Sequence, residues 1–236
     1  MIVSLFVFVI ILAISIPSAI VFIPLAVITG DAGPLYAVTC FIVRTGFRVA
    51  GIRVRVEGRE HVPPGQACIF MANHVSNLDP PGLIPRIPGR TAAFAKRAIF
   101  NIPVFGYCMK LGEFIPVDRT GNAASAQESV AAAKRIIAKG LHITTFVEGS
   151  RSKDGRMLPF KKGPFYLAKE TGAPCIPVSI YGTESLMAVG SFAIKPGRVH
   201  FVFHPPIYPS DYETRELLLT AVRAAIASGL PEWMRR

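Results

Sequence analysis

The chain has 236 residues, enough for one substantial domain with a full core and too few for a second of similar size. Apolar residues make up 51% and charged residues only 17%, yet Lys and Arg outnumber Asp and Glu 26 to 15, a formal net charge of +11. That bias calls for an anionic partner; nucleic acid, an anionic bilayer and a phosphorylated substrate all have the required sign, and charge alone does not choose among them.

Residues Met1 to Gly30 carry no charged side chain and are dominated by Ile, Val, Leu and Phe. About twenty such residues suffice to cross a bilayer. A secretory signal begins with a positive segment, whereas the first Lys or Arg here is Arg44, so export is disfavoured. Pro17 and Pro24 each remove a backbone donor, which leaves two geometries open: a single kinked span, or a short hairpin dipping into one leaflet. From Leu35 to Ala50 the chain stays apolar, with Arg44 and Arg48 one helical turn apart, the pattern of an interfacial helix with its cations toward lipid phosphates. Arg53 and Arg55 continue the basic flank. Cations follow the apolar segment and none precede it, which places the main domain, residues 51–236, on the cytoplasmic face and residues 1–50 in a membrane anchor. A bacterial inner membrane is the expected location. Cys40, Cys68, Cys108 and Cys175 are scattered without metal-ligand spacing and read as free thiols in a reducing compartment.

Downstream, Ile52, Val54 and Val56 alternate with Arg53, Arg55 and Glu57, a strand with one wet face. Further strands are expected at Ala67–Ala72, Thr91–Ala95, Glu113–Val117, His142–Val147, Pro174–Tyr181 and Arg198–His204, with helical stretches between several of them. The fold class is therefore α/β: a mixed open sheet flanked by helices, behind an N-terminal membrane-anchoring helical segment. A helix from Ala123 to Ala138 carries Lys134 and Arg135 in its last turn and Gly140 beyond it. Ser210 and Glu213 have capping-box spacing ahead of Leu217, Leu218, Val222 and Ile226.

The second strand ends at the string Asn73-His74-Val75-Ser76-Asn77-Leu78-Asp79. An imidazole takes a proton at neutral pH, and a nearby carboxylate fixes its tautomer and stabilises the imidazolium. A continuous helix does not put positions five apart on one face, so His74 and Asp79 meet only if the chain turns between them. Asp79 precedes Pro80, which favours a loop ending in a helix cap. The C-terminal end of a strand is where open α/β sheets build sites. Taken alone, the pair is a common string, and a plain polar strand end is the rival reading.

Two later strings strengthen it. Arg119 follows the strand ending at Val117, and Glu148-Gly149-Ser150-Arg151 follows the strand ending at Val147. A guanidinium presents a planar fork of donors matched to phosphate oxygens, Gly149 lets backbone approach a ligand, and Glu148 is placed to hold an arginine. Lys96, Lys161 and Lys162 are weaker candidates; Pro159–Gly163 reads as a turn into a helix whose N-terminus favours anions. The alternative for all these cations is a solvated surface.

Taken together, these blocks resemble the glycerophospholipid acyltransferases, most closely the 1-acyl-sn-glycerol-3-phosphate acyltransferases. His74 and Asp79 match the family's H-x4-D block, Gly112–Arg119 its second, Phe146–Arg151 its third and Ile176-Pro177-Val178 its fourth. Lys96 with Pro103 and Gly106, and Leu158–Gly163, look like family features between the blocks. Val147 and Ser150 depart from the usual Pro and Thr, and Ser150 keeps the hydroxyl. The resemblance implies transfer of a fatty acyl group from a coenzyme A or acyl carrier protein thioester to the sn-2 hydroxyl of lysophosphatidic acid, giving phosphatidic acid. His74 and Asp79 would be catalytic, and Arg119, Glu148, Gly149, Ser150, Arg151 and Lys96 would bind substrate. No metal and no cofactor beyond the thioester co-substrate are called for, and the partners would be membrane phospholipid, lysophosphatidic acid and the thioester donor. A covalent acyl-enzyme through Ser76, Ser150 or a cysteine is the competing mechanism. Rival functions are acylation of glycerol 3-phosphate or a lyso-aminolipid, and a non-catalytic module that binds anionic lipid. No nucleic-acid motif accompanies the charge.

Overall fold

The structure, a computed structural model, describes residues 2–117 and 123–235. Helix α1 (Ile2–Thr29) runs unbroken through Pro17 and Pro24. Gly30, at φ +69°, reverses the chain. The Asp31 carboxylate then accepts from the Gly33 backbone N–H at 2.8 Å, and α2 (Gly33–Val49) begins with Pro34 in its first turn. Helix α2 folds back along α1, closely enough at Gly46 that a Cβ there would lie 2.8 Å from Ile11 Cδ1. A helical hairpin does form, but its second arm is the segment read as an interfacial helix, and the prolines do not make the turn. Arg44, on the segment read as interfacial, donates through its guanidinium to the Pro85 carbonyl and so ties α2 to the domain.

Among the described residues seven strands follow: β1 (Ile52–Glu57), β2 (Ile69–Ala72), β3 (Thr91–Lys96), β4 (Ile115–Val117), β5 (His142–Phe146), β6 (Cys175–Tyr181) and β7 (Gly197–Phe203). They form one sheet in the order β1-β7-β6-β2-β5-β3-β4, parallel throughout except for the antiparallel β6–β7 pair. Strands β2 to β6 therefore share one direction. Their C-terminal ends make a single edge, with β2 between β5 and β6.

Between the strands lie α3 (Asp79–Leu83), α4 (Phe105–Leu111), α5 (Ala123–Ala138), α6 (Gly163–Thr171) and α7 (Thr183–Leu186), and α8 (Arg215–Gly229) follows the last of them. Both faces of the sheet are covered. On one, Ala133 and Ile136 of α5, Phe165 and Leu167 of α6 and Leu218, Val222 and Ile226 of α8 close over Ile69, Met71 and Ile143. On the other, Phe47 and Ala50 from α2 and its C-terminal end pack with Leu83, Phe70, Val178 and Phe201. Burial on both faces explains why β2 and β6 read as continuous apolar runs where the edge strand β1 alternates. The cap of α8 is Thr214, whose side chain accepts from the Leu217 N–H at 3.2 Å. Ser210 sits instead in a separate 3-10 turn, Pro209–Asp211, so the capping-box reading began the helix one turn early.

Candidate active site

The loops at the common strand edge bring His74, Lys96 and the Glu148–Arg151 string to the ends of neighbouring strands β2, β3 and β5. Arg119 lies outside the described residues.

The chain turns between β2 and α3, as the spacing of His74 and Asp79 demands. His74 Nδ1 is 2.8 Å from Asp79 Oδ2. The same carboxylate oxygen accepts from the backbone N–H groups of Val75 at 2.7 Å and Ser76 at 2.8 Å. Oδ1 accepts from the Thr183 hydroxyl at 2.5 Å. Asp79 is fully buried, and with the carboxylate as acceptor the ring proton sits on Nδ1. That leaves the Nε2 lone pair free on a side chain that is 14% exposed. Phe146, the last residue of β5, stacks on the ring at 4.3 Å between centroids and fixes its plane. Asn73 locks the strand end: its amide donates to the Ile180 carbonyl at 2.9 Å and accepts from the Ile180 N–H at 2.8 Å.

Among these, Thr183 and the orienting role of Phe146 escaped the sequence reading. Thr183 stands two residues beyond β6, and only the place of β6 beside β2 brings it to Asp79. Ser76 was a candidate nucleophile, but it is buried and its hydroxyl donates to the Met187 carbonyl at 2.8 Å. Cys68 and Cys175 are likewise fully buried, and burial pushes their thiols up to about 11 and about 12, away from the reactive thiolate.

The loop after β5 leans on this turn. The Ser152 N–H donates to the His74 carbonyl at 2.8 Å, and the His74 N–H reaches Glu148 Oε1 at 3.4 Å. Glu148 is buried. Burial pushes its carboxyl up to about 8; the backbone N–H groups of Leu158 and His74 oppose the shift and the charge of Asp79 adds to it. No arginine is paired with Glu148 among the described residues, contrary to the expectation that it would hold one. Glu148 Oε2 and Arg151 Nη1 are both buried without a hydrogen-bond partner among the described residues. Orphaned polar atoms are rare in folded proteins, so two in one four-residue string make it a candidate binding place. Gly149, at φ +70°, keeps the backbone tight against a neighbour, though that neighbour is the Lys161 stem: a Cβ would sit 3.1 Å from Lys161 Cγ. Ser150 and Lys96 are exposed. Lys162 is a surface cation 3.6 Å from Glu216.

The open sheet and the oriented imidazole at its carboxyl edge define an α/β protein with a candidate general base at its strand ends. The chain belongs to the Acyltransferase family, which it matches over residues 53–181. It is 35% identical to the chloroplastic 1-acyl-sn-glycerol-3-phosphate acyltransferase BAT2 of Brassica napus, over 74% of this chain and 50% of that one. To the human 1-acyl-sn-glycerol-3-phosphate acyltransferase alpha it is 33% identical, over 66% of this chain and 56% of that one. The crystal structure of the 1-acyl-sn-glycerophosphate acyltransferase PlsC from Thermotoga maritima superposes with a TM-score of 0.75 at 29% identity, covering 86% of this chain and 81% of that one. The chain spans 50 to 60% of the length of the first curated relatives it matches.

Proposed function

We propose that the protein acylates the sn-2 hydroxyl of lysophosphatidic acid from a coenzyme A or acyl carrier protein thioester, forming phosphatidic acid. The observation that carries the reaction type is the His74–Asp79 contact, which orients an imidazole and leaves its Nε2 free as a base. His74 takes the proton of the acceptor hydroxyl as that oxygen attacks the thioester carbonyl. The C–S bond breaks, and the departing thiolate takes the proton from the imidazolium, which Asp79 stabilises meanwhile. Arg151, with its unpartnered Nη1, binds the acceptor phosphate; Arg119 and Lys96 join it on the strength of their motif positions. Glu148, largely protonated near neutral pH, leaves the charge of Arg151 undiminished for that anion. Relatives that are 1-acyl-sn-glycerol-3-phosphate acyltransferases support that acceptor.

Residues 1–50 serve as the membrane anchor of an acyltransferase domain spanning 51–236, on the cytoplasmic face. Helix α1 is long and apolar enough to cross a membrane and is almost entirely uncovered by the rest of the chain. Its two ends are both held by the domain: Ser4 Oγ accepts from the Ile194 N–H at 2.9 Å, and Asp31, just past the other end, lies 3.3 Å from Arg90. That favours a helix lying in one leaflet over one that crosses.

The deciding experiment incubates purified full-length protein with each thioester donor against lysophosphatidic acid, glycerol 3-phosphate and a lyso-aminolipid, with products read by mass spectrometry. Failure to form phosphatidic acid with either donor, or preference for another acceptor, overturns this reading.

A further inference from the structure

The loop from Val147 to Lys161 is braced from outside the region shared with the family. It closes on itself through the Lys161 N–H, which donates to the Val147 carbonyl at 2.7 Å, and the Leu158 N–H faces the Glu148 carboxylate and favours its charged form. Its outer side is held by α8 and the C-terminal 3-10 turn, Glu232–Met234. Arg223 Nη1 on α8 donates to the Leu158 carbonyl at 3.0 Å, and its guanidinium lies 5.1 Å over the Phe160 ring. No carboxylate lies within ion-pair distance of Arg223 among the described residues. The Met157 N–H donates to the Met234 carbonyl at 2.9 Å, with the Met234 side chain fully buried in the core. The Trp233 ring presses on Gly155, where a Cβ would come within 2.8 Å of it.

Leu158 is thus a two-sided link: its N–H faces Glu148 and its carbonyl faces Arg223. An arginine used for one backbone carbonyl and one aromatic face, its charge reaching Glu148 only from beyond ion-pair distance, is used for geometry. We propose that Arg223, acting through Leu158, and Trp233, acting through Gly155, are positioning residues that set how tightly the Glu148–Arg151 string holds the phosphate monoester of the acceptor. This rests on the reading that Arg151 binds that phosphate.

The test uses full-length wild type, Arg223→Leu, Arg223→Lys and Trp233→Ala. Rates are measured with acceptor and donor varied separately, and thermal unfolding with and without glycerol 3-phosphate as a soluble headgroup probe. Arg223→Leu should raise the acceptor KM about tenfold, the scale of one hydrogen bond from a charged group, with saturated kcat within about threefold and donor KM unchanged. Arg223→Lys should fall between, and Trp233→Ala should shift the same parameter less. Stabilisation by glycerol 3-phosphate should shrink in the same order. A stable Arg223→Leu protein with wild-type acceptor KM, or one that loses kcat alone, refutes the proposal. If that variant does not fold, wild-type acceptor KM in both Arg223→Lys and Trp233→Ala refutes it equally. A wild-type chain that neither acylates lysophosphatidic acid nor is stabilised by glycerol 3-phosphate brings down the functional reading with it, whereas active wild type beside unmoved variants brings down this inference alone.

Discussion

Asp79 accepts from four donors, three of them on one oxygen, and this crowding decides what its substitution does. An amide at that position turns its N–H₂ against three of these donors or against the fourth, and it cannot stabilise an imidazolium. Asp79→Asn should therefore be severely impaired. His74→Ala removes the base itself, so turnover should fall at least about a hundredfold in a protein that still folds, as circular dichroism would check. Near-normal acyl transfer by folded His74→Ala protein would end the mechanism. Glu148 makes a separate prediction about pH. Its unfolded carboxyl titrates near its ordinary 4.5 and its folded one near 8, so between these the folded chain holds a proton that the unfolded chain has lost. Stability contributed by the neutral form therefore falls as pH rises from about 4.5 to about 8 and levels off above. Burial of His142, His200 and His204 lowers their basicity and slopes the other way below about 6.5. Comparison with Glu148→Gln isolates the carboxyl: wild type should lose more melting temperature than the variant between about pH 5.5 and about pH 8.5. Parallel curves would show that Glu148 ionises freely. At this scale the His74–Asp79 contact was legible as motif spacing, whereas that of Thr183 was not, because a contact between positions 79 and 183 depends on strand order.

Secondary structure was legible wherever one side of an element is wet. Strand β1 announced itself by alternation, and α5 by its basic last turn and the glycine beyond it. Strands β2 and β6, buried on both faces, could be found as apolar runs but not paired, and nothing local says that β7 runs antiparallel to β6 while pairing with β1 from the far end of the chain. The start of α8 shows how close two legal signals can stand. Ser210 and Glu213 have the spacing of a capping box, yet the chain makes a 3-10 turn there and Thr214 takes the cap. Thr214→Ala should thus cost about 1 kcal/mol of stability and Ser210→Ala close to none, measured by denaturant unfolding in the same detergent. Equal losses at both positions would place the helix start where the sequence pattern put it.

For the whole molecule, the question is how α1 meets the bilayer. Its composition was legible at once, but its disposition was not, because nothing in an apolar run says which residues fold back to hold its ends. Leu5, Phe8, Leu12, Ile16, Ile20 and Ile28 leave an apolar surface along its full length, while contacts to Ile194 and Arg90 pin both termini to the same domain. A crossing helix would have to break one of those contacts and carry Ser4 or Asp31 to the opposite side. Attachment by apolar burial also differs from attachment by charge: screening over a Debye length of about 8 Å at physiological ionic strength weakens the second and leaves the first. The full chain should accordingly stay with membranes through a high-salt wash and leave only with detergent. Single cysteines replacing Ser4 and Asp31, in a background without the four native cysteines, should react with a membrane-impermeant maleimide from the same side of sealed vesicles as one placed at exposed Ser210. Reaction of Ser4→Cys and Asp31→Cys from opposite sides would make α1 a span, and release by salt would make the basic surface the whole attachment.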